Sequence, residues 1–578
     1  MSLGLNIYET YDPRVDSEHM SRDYVFQRCA ENVTYRQVTA QSASSSSISW
    51  AVPFCAPRLG LGRVVKIELP VTLTWNDADV AKRTIESGFD AFRANPIASI
   101  SQNLTATING KTCSMPLSDL IHAFNRFYNG AIAKQKLFST TPCALDGFQT
   151  YEMSANTNSN PLGSAVDRSL DAPFGRGGFP MEIKNDAAND QTIVKAVLTE
   201  VLYLPPFCFS PEYADDADCL WNVSQMNFDL TLVANIGERI WSHSRAGTNP
   251  DLPAPTVTFG NINEIKLLMT TFTPAATQLI QEKPAYPYFD VVRWVTENQA
   301  AVPPGEQVMI NSNTVSLHSI PNSIYIFVRQ KNSEQTVSST DTFFAIDNLV
   351  VNFGDRVNLL AGCDRRQLYD ISRRNGLNMT WQEFSGDPMP DINSYFPGPN
   401  GNDYVGPGSL IKLDVADLGQ NLLAPAGTKG QTNLSVQVTA TNVNPTDDIT
   451  PALYMIVIYD GVMVIHDDIA DQSFSILTAK DVVGAKYKKI NPQTIRRAFG
   501  AGLGRGFLDG VGNFFKSFLP VLKNDVLPMV KDGIDIYKSV KNGKGRKGKG
   551  MVGGSGYDEY YGGSQEMSVS DLRRSLMD

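Results

Sequence analysis

Reactive side chains are what this 578-residue sequence has least of. It carries five histidines, His19, His122, His243, His318 and His466, and they show no metal-ligand spacing. No H-E-x-x-H, G-x-S-x-G or G-x-x-x-x-G-K-[ST] occurs. Seven cysteines (Cys29, Cys55, Cys113, Cys143, Cys208, Cys219, Cys363) are scattered without a C-x-x-C pair. An odd count without paired spacing suits buried thiols in a reducing compartment rather than a disulfide framework. Met1 to Tyr24 lacks the apolar core of a signal peptide, and no stretch reaches the length of uninterrupted apolar sequence that a membrane-spanning helix needs. The absences favour a structural protein without cofactor or catalytic centre. Paired carboxylates of the glycosidase kind stay open, because such residues are distant in sequence.

The charge is unevenly spread. The whole chain has net charge −10, yet residues 491–578 hold 14 Lys+Arg against 9 Asp+Glu, which leaves 36 basic and 51 acidic residues before them. An acidic body with a basic tail argues against nucleic-acid binding by the body and leaves the tail a candidate. Apolar residues at 42% are enough for sizeable cores, and the length suits two to four domains.

The body reads as strand after strand. Val65, Ile67, Leu69, Val71, Leu73 and Trp75 alternate with polar residues, the pattern of a half-buried strand. Pro70, on the polar side, suggests an edge or a bulge. Leu117 to Ala133 reads as a helix capped by Ser118, with Leu120, Ile121, Phe124, Phe127 and Tyr128 on one face. His122 lies off that stripe and reads as solvated or locally bonded. Residues 139–190 are a long polar excursion of the kind that carries contacts. Strands resume at 192–204 and 226–234, and a first domain ends near Trp241.

Five prolines between 243 and 285 mark a connection, with one strand over 264–271. A second domain begins around Tyr286. It has strands near 324–328, 343–352 and 434–440, and a second excursion at 386–408. Leu453–Tyr459, Asp460-Gly461 and Val462–His466 read as a hairpin with a two-residue turn. Two β domains of similar size follow, with no sequence repeat between them. Periodicity alone does not separate a jelly roll from an immunoglobulin-like sandwich.

In the tail, apolar residues from Phe507 to Val540 recur at helical spacing with Lys516, Lys523, Lys531 and Lys538 among them, and Pro520 and Pro528 divide the segment. Contact with a membrane or nucleic acid, and docking on the protein itself or a neighbouring copy, are equal readings. Lys541, Lys544, Arg546, Lys547 and Lys549 stand among glycines in a run too polar to fold alone. Anion contact and nuclear targeting compete there.

Several stretches resemble the double jelly-roll major capsid proteins of virophages and polinton-like elements: Asp90-Ala91-Phe92-Arg93-Ala94-Asn95-Pro96 with Ala106-Thr107-Ile108-Asn109-Gly110; Tyr203-Leu204-Pro205-Pro206-Phe207; Arg239-Ile240-Trp241-Ser242-His243-Ser244; Tyr286-Pro287-Tyr288-Phe289; and Ile458-Tyr459-Asp460-Gly461. The resemblance implies an all-β fold of two tandem jelly rolls with long inserted loops and a short helix. The expected organisation is an N-terminal arm over 1–60, a first jelly roll over 61–245, a connection over 246–285, a second jelly roll over 286–490 and a tail over 491–578. It implies homotrimers that tile an icosahedral virion shell, made in the host cytoplasm or a virus factory. The partners would be neighbouring capsomers, penton and minor capsid proteins, and the genome or an internal membrane through the tail. It also implies a maturation cysteine protease that cuts after Gly-Gly. Met551-Val552-Gly553-Gly554 matches such a site, placing a cut between Gly554 and Ser555. Leu508-Asp509-Gly510-Val511-Gly512 resembles a Gly-x-Gly variant, with Val511 and Gly512 at its end. A narrow cleft that pairs with an extended backbone admits only glycine there.

Two other readings differ in class or lineage. One is a carbohydrate-binding or glycoside-cleaving β-sandwich with a basic anchor. The other is a shell domain with a protruding domain, as in small RNA viruses. On the preferred reading, chains from mature particles are shortened at the C-terminus. Intact mass measurement checks this, and full-length chains alone in infectious particles would contradict it.

Overall fold

The computed structural model describes residues 7–11, 23–27, 32–52, 59–62, 65–76, 90–127, 145–151, 181–186, 191–202, 219–243, 253–273, 285–298, 300–389, 404–418, 429–466 and 469–474. Alternation of apolar and polar residues builds almost all of it. In Val65–Asn76 the odd positions from Val65 to Trp75 are buried and the even positions face outward. Each aliphatic side chain buried this way contributes about 1.5–3 kcal/mol. The same rule forms Ser101–Ile108 around Leu104, Ala106 and Ile108, and Met226–Leu232 around Phe228 and Leu230.

Two barrels result, and both have the same order. In the first barrel the eight principal strands, in chain order, are Asn32–Thr39, Ser47–Val52, Val65–Asn76, Ser101–Ile108, Lys111–Met115, Gln191–Leu202, Met226–Leu232 and Lys266–Thr273. One sheet runs first–eighth–third–sixth, the other second–seventh–fourth–fifth, all antiparallel. In the second barrel the strands are Ala285–Glu297, Gln307–Asn311, Ser323–Gln330, Ala345–Phe353, Arg356–Leu359, Ile411–Asp414, Lys429–Thr441 and Pro451–His466. They pair in the same two orders. This is the jelly roll twice. A helix follows the fifth strand in each barrel, Leu117–Phe124 and Arg365–Arg374, and the long excursions at 139–190 and 386–408 occupy the same interval.

The strand order revises several expectations. Residues 32–52 are not an irregular arm. They supply the first two strands, with Ile48, Trp50 and Val52 buried against the seventh. The span 246–285 is not only a connection, because Lys266–Thr273 is the eighth strand, in the middle of the wider sheet. A barrel cut at 61 and 245 would lack three of its eight strands. Pro70 lies in a central strand, where the neighbour on one side changes from Lys266–Leu268 to Thr256–Phe259. Its carbonyl accepts from Gly260 N at 2.8 Å on that side, so its missing N–H faces the gap between the two neighbours and leaves no ladder bond unmade.

Asp460-Gly461 is not a turn. Pro451–His466 is one continuous strand, paired with Ala285–Glu297 along that partner's whole length, with Asp460 opposite Phe289 and Gly461 opposite Tyr288. A two-residue interruption preserves the period of two, so the strand passes through it with Met463 and Ile465 still buried. The first helix ends at Phe124 and turns through Phe127, and 128–133 lie outside the described residues. Its N-cap position is Pro116 without a side-chain cap, and Ser118 Oγ instead accepts from Asn332 Nδ2 of the second barrel at 3.4 Å.

Candidate functional site at the seam between the barrels

Two of the stretches that carry the resemblance pair with each other. Asp90–Phe92 and Trp241–His243 form a two-stranded ribbon, Phe92 opposite Trp241 and Asp90 opposite His243. Trp241 packs edge-on against Phe92 at 5.0 Å and Trp75 at 5.3 Å, and its Nε1 donates to Asp90 Oδ1 at 3.1 Å. The ribbon anchors Arg93, which follows Phe92, and the helix Ile236–Ile240 just before it carries Arg239. Both guanidiniums are buried and point at the second barrel.

Their common target is Asp341, in the segment that joins the third and fourth strands of the second barrel. Arg239 Nη1 reaches Asp341 Oδ1 at 2.7 Å, and Arg93 Nη1 reaches Oδ2 at 3.3 Å. Arg329, from the end of Ser323–Gln330, approaches Oδ1 at 3.5 Å. His122 Nε2 lies 3.3 Å from Oδ2. Burial works to raise the Asp341 carboxyl, but Arg239 and the other cations around it hold it well below the usual range. Burial pulls the Arg239 guanidinium down to about 10 against the attraction of Asp341.

One carboxylate cannot satisfy three guanidiniums, so backbone carbonyls complete them. Arg93 Nε donates to Glu238 O at 2.8 Å and Trp241 O at 3.1 Å, and its Nη2 donates to Thr336 O at 2.6 Å. Arg239 also reaches Gln335 Oε1, and Arg329 reaches Asn332 Oδ1. Asp146, within the first excursion, accepts from Asp341 N and from Tyr151 Oη, each at 2.9 Å. Gln149 is bound in on every side. It donates to Phe343 O at 2.8 Å, accepts from Thr342 Oγ1 at 2.9 Å, and its carbonyl accepts from Thr340 Oγ1 at 2.7 Å. Apolar contacts flank the network: Phe124 and Phe127 pack on Tyr325 at 4.8 and 5.0 Å. At a second point on the seam Asp119 pairs with Arg293 and accepts from Asn332 Nδ2 at 2.5 Å.

His122 corrects its expectation. It is buried, and its partners Ser99, Arg239 and Asp341 all come from other elements. Glu200 is a buried acid outside this cluster. It accepts from Ile97 N at 2.8 Å and Ala98 N at 3.2 Å, and burial pushes its carboxyl up to about 8 against those donors. The residues assigned to anion contact, Lys541, Lys544, Arg546, Lys547 and Lys549, and those assigned to cleavage, Val511, Gly512, Gly554 and Ser555, lie outside the described residues. Among the described residues no His/Cys/Asp/Glu group could hold a metal. Cys113 is a buried free thiol and Cys363 a half-buried one.

Known proteins share this fold. The family pattern described as the Sputnik virophage major capsid protein first domain matches residues 11–269, and that of the major capsid protein V20 C-terminal domain matches 291–461. The putative capsid protein V20 of Sputnik virophage is 29% identical over 603 aligned positions, spanning 100% of this chain and 99% of its own length. The chain is a homologue of the virophage major capsid proteins. In the Sputnik virophage structure solved by cryo-electron microscopy, a chain of 29% identity superposes with a TM-score of 0.75, over 86% of this chain and 99% of its own. The mavirus major capsid protein has the same fold at 17% identity, with a TM-score of 0.63 over 79% of this chain and 93% of its own. This capsid protein therefore has a structural, non-enzymatic role. The glycoside-cleaving alternative falls with that assignment. The shell-plus-protrusion alternative falls with the identical strand order of the two barrels.

The seam residues were partly visible in sequence. Arg93 and Arg239 stand inside stretches that carry the resemblance, but nothing local marks Asp146 or Asp341. Replacing Asp341→Asn leaves three buried guanidiniums facing a neutral amide, and should cost ~3–5 kcal/mol in urea unfolding. A loss under about 1 kcal/mol would contradict the clamp. Glu200 yields a pH dependence of definite sign. Between about pH 4.5 and 8 the folded chain keeps a proton that an unfolded glutamate has lost, so stability falls as pH rises, by at most about 1.4 kcal/mol per unit, and levels off above the folded value. Glu200→Gln should flatten that slope, read from denaturant midpoints across the interval.

Proposed function

We propose that this capsid protein works as a trimer, three two-barrel chains forming a pseudo-hexagonal capsomer that tiles an icosahedral virion shell. One observation carries the reading: two barrels of identical strand order are clamped through a buried charge cluster, so each chain is a single tile with two similar halves. Three such tiles present six like barrels around an axis. Closed cyclic symmetry places the same patch of every copy in the same contact. Homology to virophage capsid proteins along the whole chain supports the same role.

The partners follow from that role. Other copies supply most contacts, penton and minor capsid proteins fill the remaining positions, and the virion is where the protein resides. The basic run from Lys541 to Lys549 faces the genome or an internal membrane, while the acidic body avoids coating itself in nucleic acid. A cysteine protease trims the tail after Gly554 once assembly is complete.

Purified full-length protein should sediment as a trimer at neutral pH, and negative-stain images should show three-fold particles of hexagonal outline. Protein that stays monomeric across salt and crowding conditions would rule the proposal out.

A further inference from the structure

His122 sits where an added proton finds no acceptor. Its Nε2 lies 3.0 Å from Ser99 Oγ, 3.3 Å from Asp341 Oδ2 and 3.4 Å from Arg239 Nη2. The Ser99 hydroxyl gives its own proton to the Ala94 carbonyl at 3.0 Å. An ionised carboxylate only accepts. The two nearer neighbours, Ser99 Oγ and Asp341 Oδ2, call for a donor and outweigh the more distant Arg239 Nη2, which only donates, so Nε2 is the protonated nitrogen. Nδ1 is then the bare nitrogen, buried and without a hydrogen-bond partner. A second proton has to bind there.

The charged groups around the ring come from four elements. Asp341 belongs to the segment after the third strand of the second barrel, and Arg329 to that strand. Arg93 precedes the helix Pro96–Ile100, and Arg239 lies on the helix Ile236–Ile240. Three cations face one anion, so a proton on the ring adds a fourth positive charge to a buried cluster. Two of those cations and the ring come from the first barrel, while the third cation and the anion come from the second.

We propose that His122 makes the seam acid-labile, a proton taken from solvent at Nδ1 loosening the first barrel from the second. Burial keeps the closed ring neutral well below its ordinary range; Asp341 opposes it, and Arg239, Arg329 and Arg93 add to it. In an opened seam the imidazole is free and binds a proton near pH ~6.5. The sign follows. Above that pH neither form takes the extra proton and the seam is at its tightest. Below it only the open form does, so the opening equilibrium rises about tenfold per pH unit until the closed ring itself titrates. A shell of such tiles would be stiff at neutral pH and soften in an acidic compartment, although the effect belongs to the single chain and does not depend on assembly.

The test is amide hydrogen exchange on the full chain at about pH 7.5, 6.5 and 5.5, corrected for the intrinsic pH dependence of exchange. Seam amides are those of Asp341, bonded to Asp146; His243, bonded to Val337 O; and Asn378, bonded to Arg126 O. Amides of Pro451–His466 serve as the internal reference. The comparison variant is His122→Gln, whose amide still donates where Nε2–H does and does not titrate. The expected result is a roughly tenfold rise in seam opening between about pH 7.5 and 5.5 in the wild type relative to His122→Gln, about five-fold of it below pH 6.5. Taking that ratio cancels Glu200 and every other carboxylate. An equal response in both proteins overturns the proposal. If the variant fails to fold, the wild type decides alone: acceleration confined to the seam supports the device, and uniform or absent acceleration overturns it.

Discussion

The ion cluster at Asp341 is the constraint on which the rest of the molecule depends. A carboxylate taken out of water is costly, and so is each guanidinium, so neither side is stable alone. Arg93 and Arg239 are held by one barrel, and Asp341 by the other. The charges become tolerable only when both barrels are folded and in contact. A hydrophobic seam could slide by a side chain's width at modest cost. A seam in which the Thr336 carbonyl takes an N–H of Arg93 and Gln335 Oε1 takes one of Arg239 cannot. The cluster thus fixes the geometry of the pair more than it adds stability, and a tile in a repeating shell needs a fixed geometry.

The cluster draws on intervals that the jelly roll leaves free. Strand order is set by the barrels' own cores, and chain between strands can lengthen without disturbing it. In both barrels the longest such interval follows the fifth strand and opens with a helix. The first barrel's helix supplies His122, and the chain beyond supplies Asp146, Gln149 and Tyr151. After the second barrel's helix, Asn378 N returns to bond Arg126 O at 2.8 Å, so the two equivalent intervals meet. At Gly408 the chain passes so close to the Phe343 carbonyl, with φ of +96°, that a Cβ would fall 2.1 Å from that oxygen. Glycine is the residue that permits both the angle and the approach.

What could be read in advance follows from the range of the signal. Alternation is local, so Val65–Asn76 and Met226–Leu232 were legible residue by residue. Short strands with weak patterns were not. Ser47–Val52 sits in a serine-rich stretch whose composition outweighed its pattern, while Lys266–Thr273 was legible as a strand but its proline-rich surroundings assigned it to a connection instead of the barrel. Asp460-Gly461 carries strong turn chemistry, yet the pairing partner opposite runs straight past it, and thirteen paired residues outweigh one favourable turn. His122 looked exposed because it lies off the apolar stripe of its own helix. The polar side of that helix is covered too, by a cluster that includes Arg329 and Asp341 of the second barrel.

The sequence by itself determined the β class, the pair of similar domains, the separation of an acidic body from a basic tail, and the likeness to capsid proteins. These rest on composition, on a period of two, and on short stretches in a fixed order, all of which a linear chain displays. Tertiary structure alone decided which strands close each barrel, that Pro70 and Asp460-Gly461 lie within strands, and that Arg93, His122, Arg239, Arg329 and Asp341 form one buried cluster. Those facts depend on pairing and desolvation between distant segments, and such energies exist only once the segments meet.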